Sequence, residues 1–190
     1  MTHMASYKKW NRMIAEYFIS GLPLGSTVYL SIDEDVIVNI GKRLTSSIIP
    51  DDDSFNDFLS AIRKECVINQ EIKLNKISGE ESDGLPLCIA FLGALILAAY
   101  WMAEDEDVAV NNYFTRVRQV FGLSVDEAGR PKGLLPTGVE EYLWEKWNTW
   151  LVLNEYLPSA EQGESNMSRY INYPVSQTIL RKADKDDLKP

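Results

Sequence analysis

Leu85 to Ala103 is a run of 19 residues without a charge, and no other feature limits the possible folds as strongly. Nineteen apolar residues approach the length that spans a bilayer. The flanks oppose insertion, because Glu80-Glu81-Ser82-Asp83 precedes the run and Glu104-Asp105-Glu106-Asp107 follows it. Neither side offers the Lys or Arg anchors that hold a spanning helix in place. Ala90, Ala94 and Ala98 recur every four residues with Gly93 beside them, a stripe of small side chains that allows close helix contact in water as well as in lipid. The run therefore predicts a central buried helix over 85–103, wrapped by amphipathic elements in a mainly α fold.

About six or seven helices and two or three short strands fill the chain around it. Trp10, Met13, Ile14, Tyr17 and Phe18 repeat at helical spacing, with Ser6 as cap and Gly21 and Pro23 as stop. The early basic residues Lys8, Lys9 and Arg12 also suit a membrane-surface helix, but a core-facing helix with a solvated side explains the pattern more simply. Thr27-Val28-Tyr29-Leu30 reads as a strand, and Ser31 with Glu34 as a capping box for a helix over 32–44. A helix through Phe55, Leu59, Ile62 and Cys66 follows the break at Pro50, and Ile72 to Ile77 alternates as an exposed edge strand would.

Beyond the acidic hinge, Val110, Phe114, Val117 and Phe121 mark a helix stopped by Gly122. Thr137 and Glu140 then box the start of a helix carrying Leu143, Trp147, Trp150 and Leu151. Arg169-Tyr170-Ile171 suits a strand, and Asn172 with Pro174 a last helix whose apolar side is Val175, Ile179, Leu180 and Ala183. The length fits one domain over 1–190, or two subdomains over 5–104 and 107–190 sharing a core.

Chemistry is harder to find. The sole histidine is His3, in a terminus expected to fray, so a Ser-His-Asp or Cys-His system has no positioned base. Cys66 and Cys88 make neither a disulfide framework nor a zinc signature, and a reducing, cytoplasmic setting is the simpler expectation. No phosphate-binding glycine loop occurs, and none of the acidic clusters (Asp33 to Asp35, Asp51 to Asp53, Glu104 to Asp107) has EF-hand spacing. Neither cofactor nor metal is expected, and the chain reads as non-enzymatic. Met1-Thr2-His3-Met4 carries no apolar run, so no signal peptide is expected, and a native start at Met4 fits.

The formal charge of −9 opposes generic nucleic-acid binding and favours solubility. Gly129-Arg130-Pro131-Lys132-Gly133 resembles the core of an AT-hook, which implies Arg130 and Lys132 as minor-groove contacts. The order of elements after Tyr156 resembles the opening of a winged helix-turn-helix, with Ser176, Gln177, Arg181 and Lys182 on the exposed side. Its remaining helix and wing would lie beyond Pro190. DNA contact through Arg130, Lys132, Arg181 and Lys182 is thus one expectation.

The other is a protein partner or a second copy of the chain. Trp144, Trp147 and Trp150 crowd one helix beside Tyr156, and Trp and Tyr are enriched at interface hot spots. The leading expectation is an interaction or scaffold module, a subunit or N-terminal part of a larger bacterial assembly.

Overall fold

Ser6 opens the first helix, α1 (Tyr7–Ile19), its hydroxyl accepting the Lys9 N–H at 3.3 Å. Ser20 closes it, and Gly21 follows at φ 81°, a left-handed conformation that glycine adopts without Cβ strain. The computed structural model describes residues 6–44, 51–103, 110–134, 139–159, 173–175 and 177–178. After α1 come β1 (Thr27–Val28), α2 (Glu34–Leu44), α3 (Asp51–Cys66), β2 (Val67–Ile68), β3 (Glu71–Ile72), α4 (Ile89–Ala103), α5 (Val110–Phe121), α6 (Val139–Leu153) and β4 (Leu157–Pro158). Residues 173–175 and 177–178 are helical as well. The fold is mainly α with short strands, as the patterning predicts.

The strands form two small sheets. β1 and β4 run parallel, with Thr27 opposite Leu157 and Val28 opposite Pro158. β2 and β3 form a hairpin whose two turn residues, Asn69 and Gln70, both have positive φ, at 50° and 61°. That is the backbone of a type I′ turn, the tight connection whose twist matches that of its strands.

α4 is the centre. Every residue from 88 to 99 is buried, and α5 and α1 pack against it most extensively. Gly93 leaves room for Ile32, since a Cβ there would stand 2.6 Å from the Ile32 Cδ1. Among the described residues, no helix is long and apolar enough to cross a membrane.

An apolar helix start poses a problem that its own sequence does not solve. The first N–H groups of a helix need acceptors, and Pro86-Leu87-Cys88 has no oxygen-bearing side chain to provide them. α1 provides them instead. Asn11, fully buried, accepts the Ala90 N–H on Oδ1 at 3.0 Å and donates from Nδ2 to the Pro86 carbonyl at 2.8 Å. One turn earlier, the Tyr7 hydroxyl accepts the Phe91 N–H at 3.3 Å and donates to the Leu87 carbonyl at 2.7 Å. Burial pushes the Tyr7 phenol well above its ordinary pKa, so the hydroxyl keeps the proton it donates.

Three expectations need correction. α2 is capped by Asp33, not Ser31: the Asp33 carboxylate accepts the Val36 N–H at 2.9 Å, and the helix starts at Glu34. Residues 30–32 stay outside the helix, with Leu30 and Ile32 buried and the Leu30 N–H bound by Gln177. Second, residues 72–77 are not an exposed edge strand. Only Glu71 and Ile72 pair with β2, Ile77 N–H turns back to the Leu74 carbonyl, and Ile72, Leu74 and Ile77 are buried. Third, Gln177 is buried rather than exposed: its Oε1 accepts the Leu30 N–H at 2.9 Å and the Ser159 hydroxyl at 2.8 Å. The acidic hinge 104–107, the Thr137 cap, the strand at 169–171 and the positions Ile179, Leu180 and Ala183 lie outside the described residues.

Candidate interaction surface

The tryptophan helix faces inward. On α6, Leu143, Trp144, Trp147 and Leu151 are buried, a stripe at i, i+1, i+4 and i+8. Trp144 stacks on Tyr173 with ring centroids 5.4 Å apart, and Trp147 stacks on the half-buried Trp150 at the same separation. Tyr156 is half-buried against the same core. Trp144 and Trp147 are therefore buried in the wall of the domain, while Trp150 and Tyr156 are half-buried against it. Three large rings on one helix are accommodated because α4 and the helical residue Tyr173 cover them.

Some of the exposed apolar side chains lie where this helix ends, while others, such as Ile68, Val125 and Tyr142, lie elsewhere. Val152 and Leu153 are 58% and 77% exposed at the last turn of α6, and Leu157 is 53% exposed on β4. A turn closes the helix, with Glu155 in the left-handed region at φ 64° and the Tyr156 N–H bonded to the Leu151 carbonyl at 2.9 Å. The turn hands the chain to β4, which runs beside β1. Gly25 N–H donates to the Glu155 carbonyl at 2.7 Å, and Leu157 N–H donates to the Ser26 carbonyl at 3.0 Å. These bonds bring Leu24, 66% exposed, beside the α6 terminus. Register and alternation add Thr27 and Tyr29, which point to the same outer side as Leu157 while Val28 and Leu30 point inward. Leu24, Tyr29, Val152, Leu153 and Leu157 are thus exposed apolar side chains on segments that these backbone bonds bring together from both ends of the described chain.

Sequence reasoning passes over this patch, although one signal was available. The α6 stripe is complete at Leu143, Trp147 and Leu151, so Val152 and Leu153 are large apolar residues that the helical period places on the other side. Leu24 gives no such signal, because only the fold brings it near.

The proposed DNA contacts are held otherwise. Arg118, buried on α5, donates to the carbonyls of Ser124, Gly129 and Arg130 at 3.3, 3.2 and 3.5 Å and so winds residues 124–130 around its guanidinium. Arg130 then lies over the Phe114 ring at 5.4 Å, and the exposed Lys132 faces Glu127 at 3.8 Å. Pro131 is buried, the Lys132 carbonyl accepts the Ile72 N–H at 2.9 Å, and a Cβ on Gly133 would collide with the Ile72 backbone. The segment is a turn docked on β3, unlike a free extended hook. Arg181 and Lys182 lie outside the described residues.

No group of three or more potential metal ligands occurs among the described residues. Asp33 is a helix cap, and Glu34 accepts the Trp101 indole N–H at 3.0 Å. Burial pushes the Cys88 thiol up to about 12 and raises Cys66 further, so both are protonated core groups and neither is an activated nucleophile. Compared with known protein families, curated proteins and solved structures, the chain matches none.

Proposed function

We propose that this chain is a non-enzymatic interaction module that binds a partner protein through the Leu24, Tyr29, Val152, Leu153 and Leu157 patch. The observation that carries the reading is the joining of these exposed side chains by the Gly25–Glu155 and Ser26–Leu157 backbone bonds. Exposed apolar side chains gathered on an ordered frame support an interface when they form a large contiguous patch, and we take these five to do so. Charge selects the kind of partner. The chain carries −9, and the exposed Glu155 lies within the patch. A second copy would oppose like charges, whereas a partner with an apolar face and a basic rim would be drawn to it.

The test uses the tagged full chain in its native host and compares wild type, Leu153→Arg, Leu24→Arg and Lys132→Ala. A partner recovered with wild type and Lys132→Ala, but lost from both arginine variants, supports the patch. Retention of that partner by the arginine variants sinks the reading. A fall in the urea midpoint of either arginine variant also sinks it, because the side chain would then be packed within its own chain. A concentration-dependent dimer of the wild type, abolished by Leu153→Arg, would replace the basic partner with a second copy.

A further inference from the structure

A separate feature lies between α1 and α2, independent of the interaction patch. An open groove of about 350 Å3 lies between the α1 face that carries Lys9, Met13, Glu16 and Tyr17 and the α2 residues Ile40 and Arg43, with the Lys9, Glu16 and Arg43 side chains exposed at its edge. The α1 residues follow one helical stripe, while Ile40 and Arg43 are one turn apart on α2. Met13, Ile40 and the Tyr17 ring supply the apolar lining. The volume is at the lower end of what small-molecule sites enclose.

The polar groups are disposed unevenly. The Arg43 guanidinium carbon lies 4.7 Å above the Tyr17 ring, a cation–π contact that holds the cation at the groove. Lys9 adds a second cation, and neither is held by a carboxylate among the described residues. Glu16 is the only acid in the lining, which leaves the groove with one net positive charge on a chain of −9. A planar guanidinium fits a carboxylate through two parallel hydrogen bonds. Glu16 opposes a second negative charge and disfavours dianions.

We propose that this groove binds a small monocarboxylate with an apolar body, its carboxylate on Arg43 and Lys9 and its body on Met13, Tyr17 and Ile40. A neutral amide of the same shape loses the charge-assisted pairing, and an amine is repelled by both cations.

The experiment titrates the full chain with 4-phenylbutyrate, 4-phenylbutyramide and 4-phenylbutylamine, read by NMR shifts of the Met13 methyl and the Arg43 Nε–H. The expected result is saturable binding of the acid at millimolar concentration, with the amide at least about tenfold weaker and the amine weaker again. Arg43→Gln and Lys9→Gln should each weaken the acid by a similar factor without moving the urea midpoint. Tyr17→Leu, which keeps an apolar lining but frees the guanidinium, should weaken it less. Equal binding of acid and amide overturns the proposal, as does undiminished binding in both Gln variants. Failure of the acid to bind the folded wild type overturns it as well.

Discussion

Replacing Asn11 by Ala tests whether the start of the central helix is held from outside. The substitution removes the acceptor for the Ala90 N–H and the donor to the Pro86 carbonyl, both in buried surroundings. An unsatisfied buried group costs about 1–3 kcal/mol, so two together cost about 2–6 kcal/mol. Water could recover part of this only by entering between α1 and α4, where the neighbouring Tyr7, Ile14, Ala90 and Phe91 are all buried. With a urea slope of about 1–3 kcal/mol per molar, the midpoint should fall by roughly 1–2 M. Asn11→Leu should lose a similar amount despite its matching bulk, because the loss comes from the orphaned backbone groups rather than from volume. Tyr7→Phe removes the other bridge, and the double variant should lose less than the sum. Once the first turn of α4 frays, its second cap has less to hold, and coupling of about 0.5–3 kcal/mol is usual for such neighbours. Equilibrium urea unfolding followed by tryptophan fluorescence measures all four proteins. An Asn11→Ala midpoint no lower than that of the exposed control Lys8→Ala would refute the reasoning.

Two further substitutions probe close packing. Ala94→Leu adds bulk to a fully buried position of α4 and should cost about 1–3 kcal/mol, read as a lower urea midpoint. An unchanged midpoint would mean that this face has unused space. Gly133→Ala places a Cβ against the Ile72 backbone in a residue at φ 90°, so it should undock the 124–134 turn from β3. Faster hydrogen exchange of the Ile72 N–H, which the Lys132 carbonyl accepts, is the expected signal, and unaltered protection would contradict it.

Helical periodicity was legible because each amphipathic helix meets the same apolar centre. The spacing of Trp10, Ile14 and Tyr17 and the Ser6 cap describe α1 without any knowledge of its neighbours. The cap of α2 was not legible in the same way. Ser31 and Glu34 fit a capping box, but Ile32 is buried against Gly93 before α2 starts at Glu34, and Asp33 two positions later has equal capping chemistry. Tertiary packing chose between two good local solutions. The alternation over 72–77 held for Ile72 and Leu74 but failed at the exposed Lys76 and buried Ile77, because pairing with β2 stops at Ile72 and the chain then turns back, Ile77 N–H bonding the Leu74 carbonyl. Asn11 looked like an ordinary polar residue beside an apolar stripe. Its role could be suspected only from the missing cap before Ile89, a local shortage that some distant side chain had to fill.

The interaction surface shows the same division with consequences for experiment. Three tryptophans on one helix invite an alanine scan, yet Trp147 is buried and stacked on Trp150, so Trp147→Ala would open a cavity costing about 3–5 kcal/mol. Loss of a partner would then report partial unfolding of α6, and the binding question would stay unanswered. Leu153 and Leu24 separate the two effects, because their side chains are mostly exposed while their backbones belong to a frame closed by β1, β4 and Gln177. Arginine at either position adds charge and bulk where a partner would sit and removes little that the fold uses. Surface substitutions of this kind usually change stability by less than about 0.5 kcal/mol. A binding defect at unchanged stability would therefore belong to the surface.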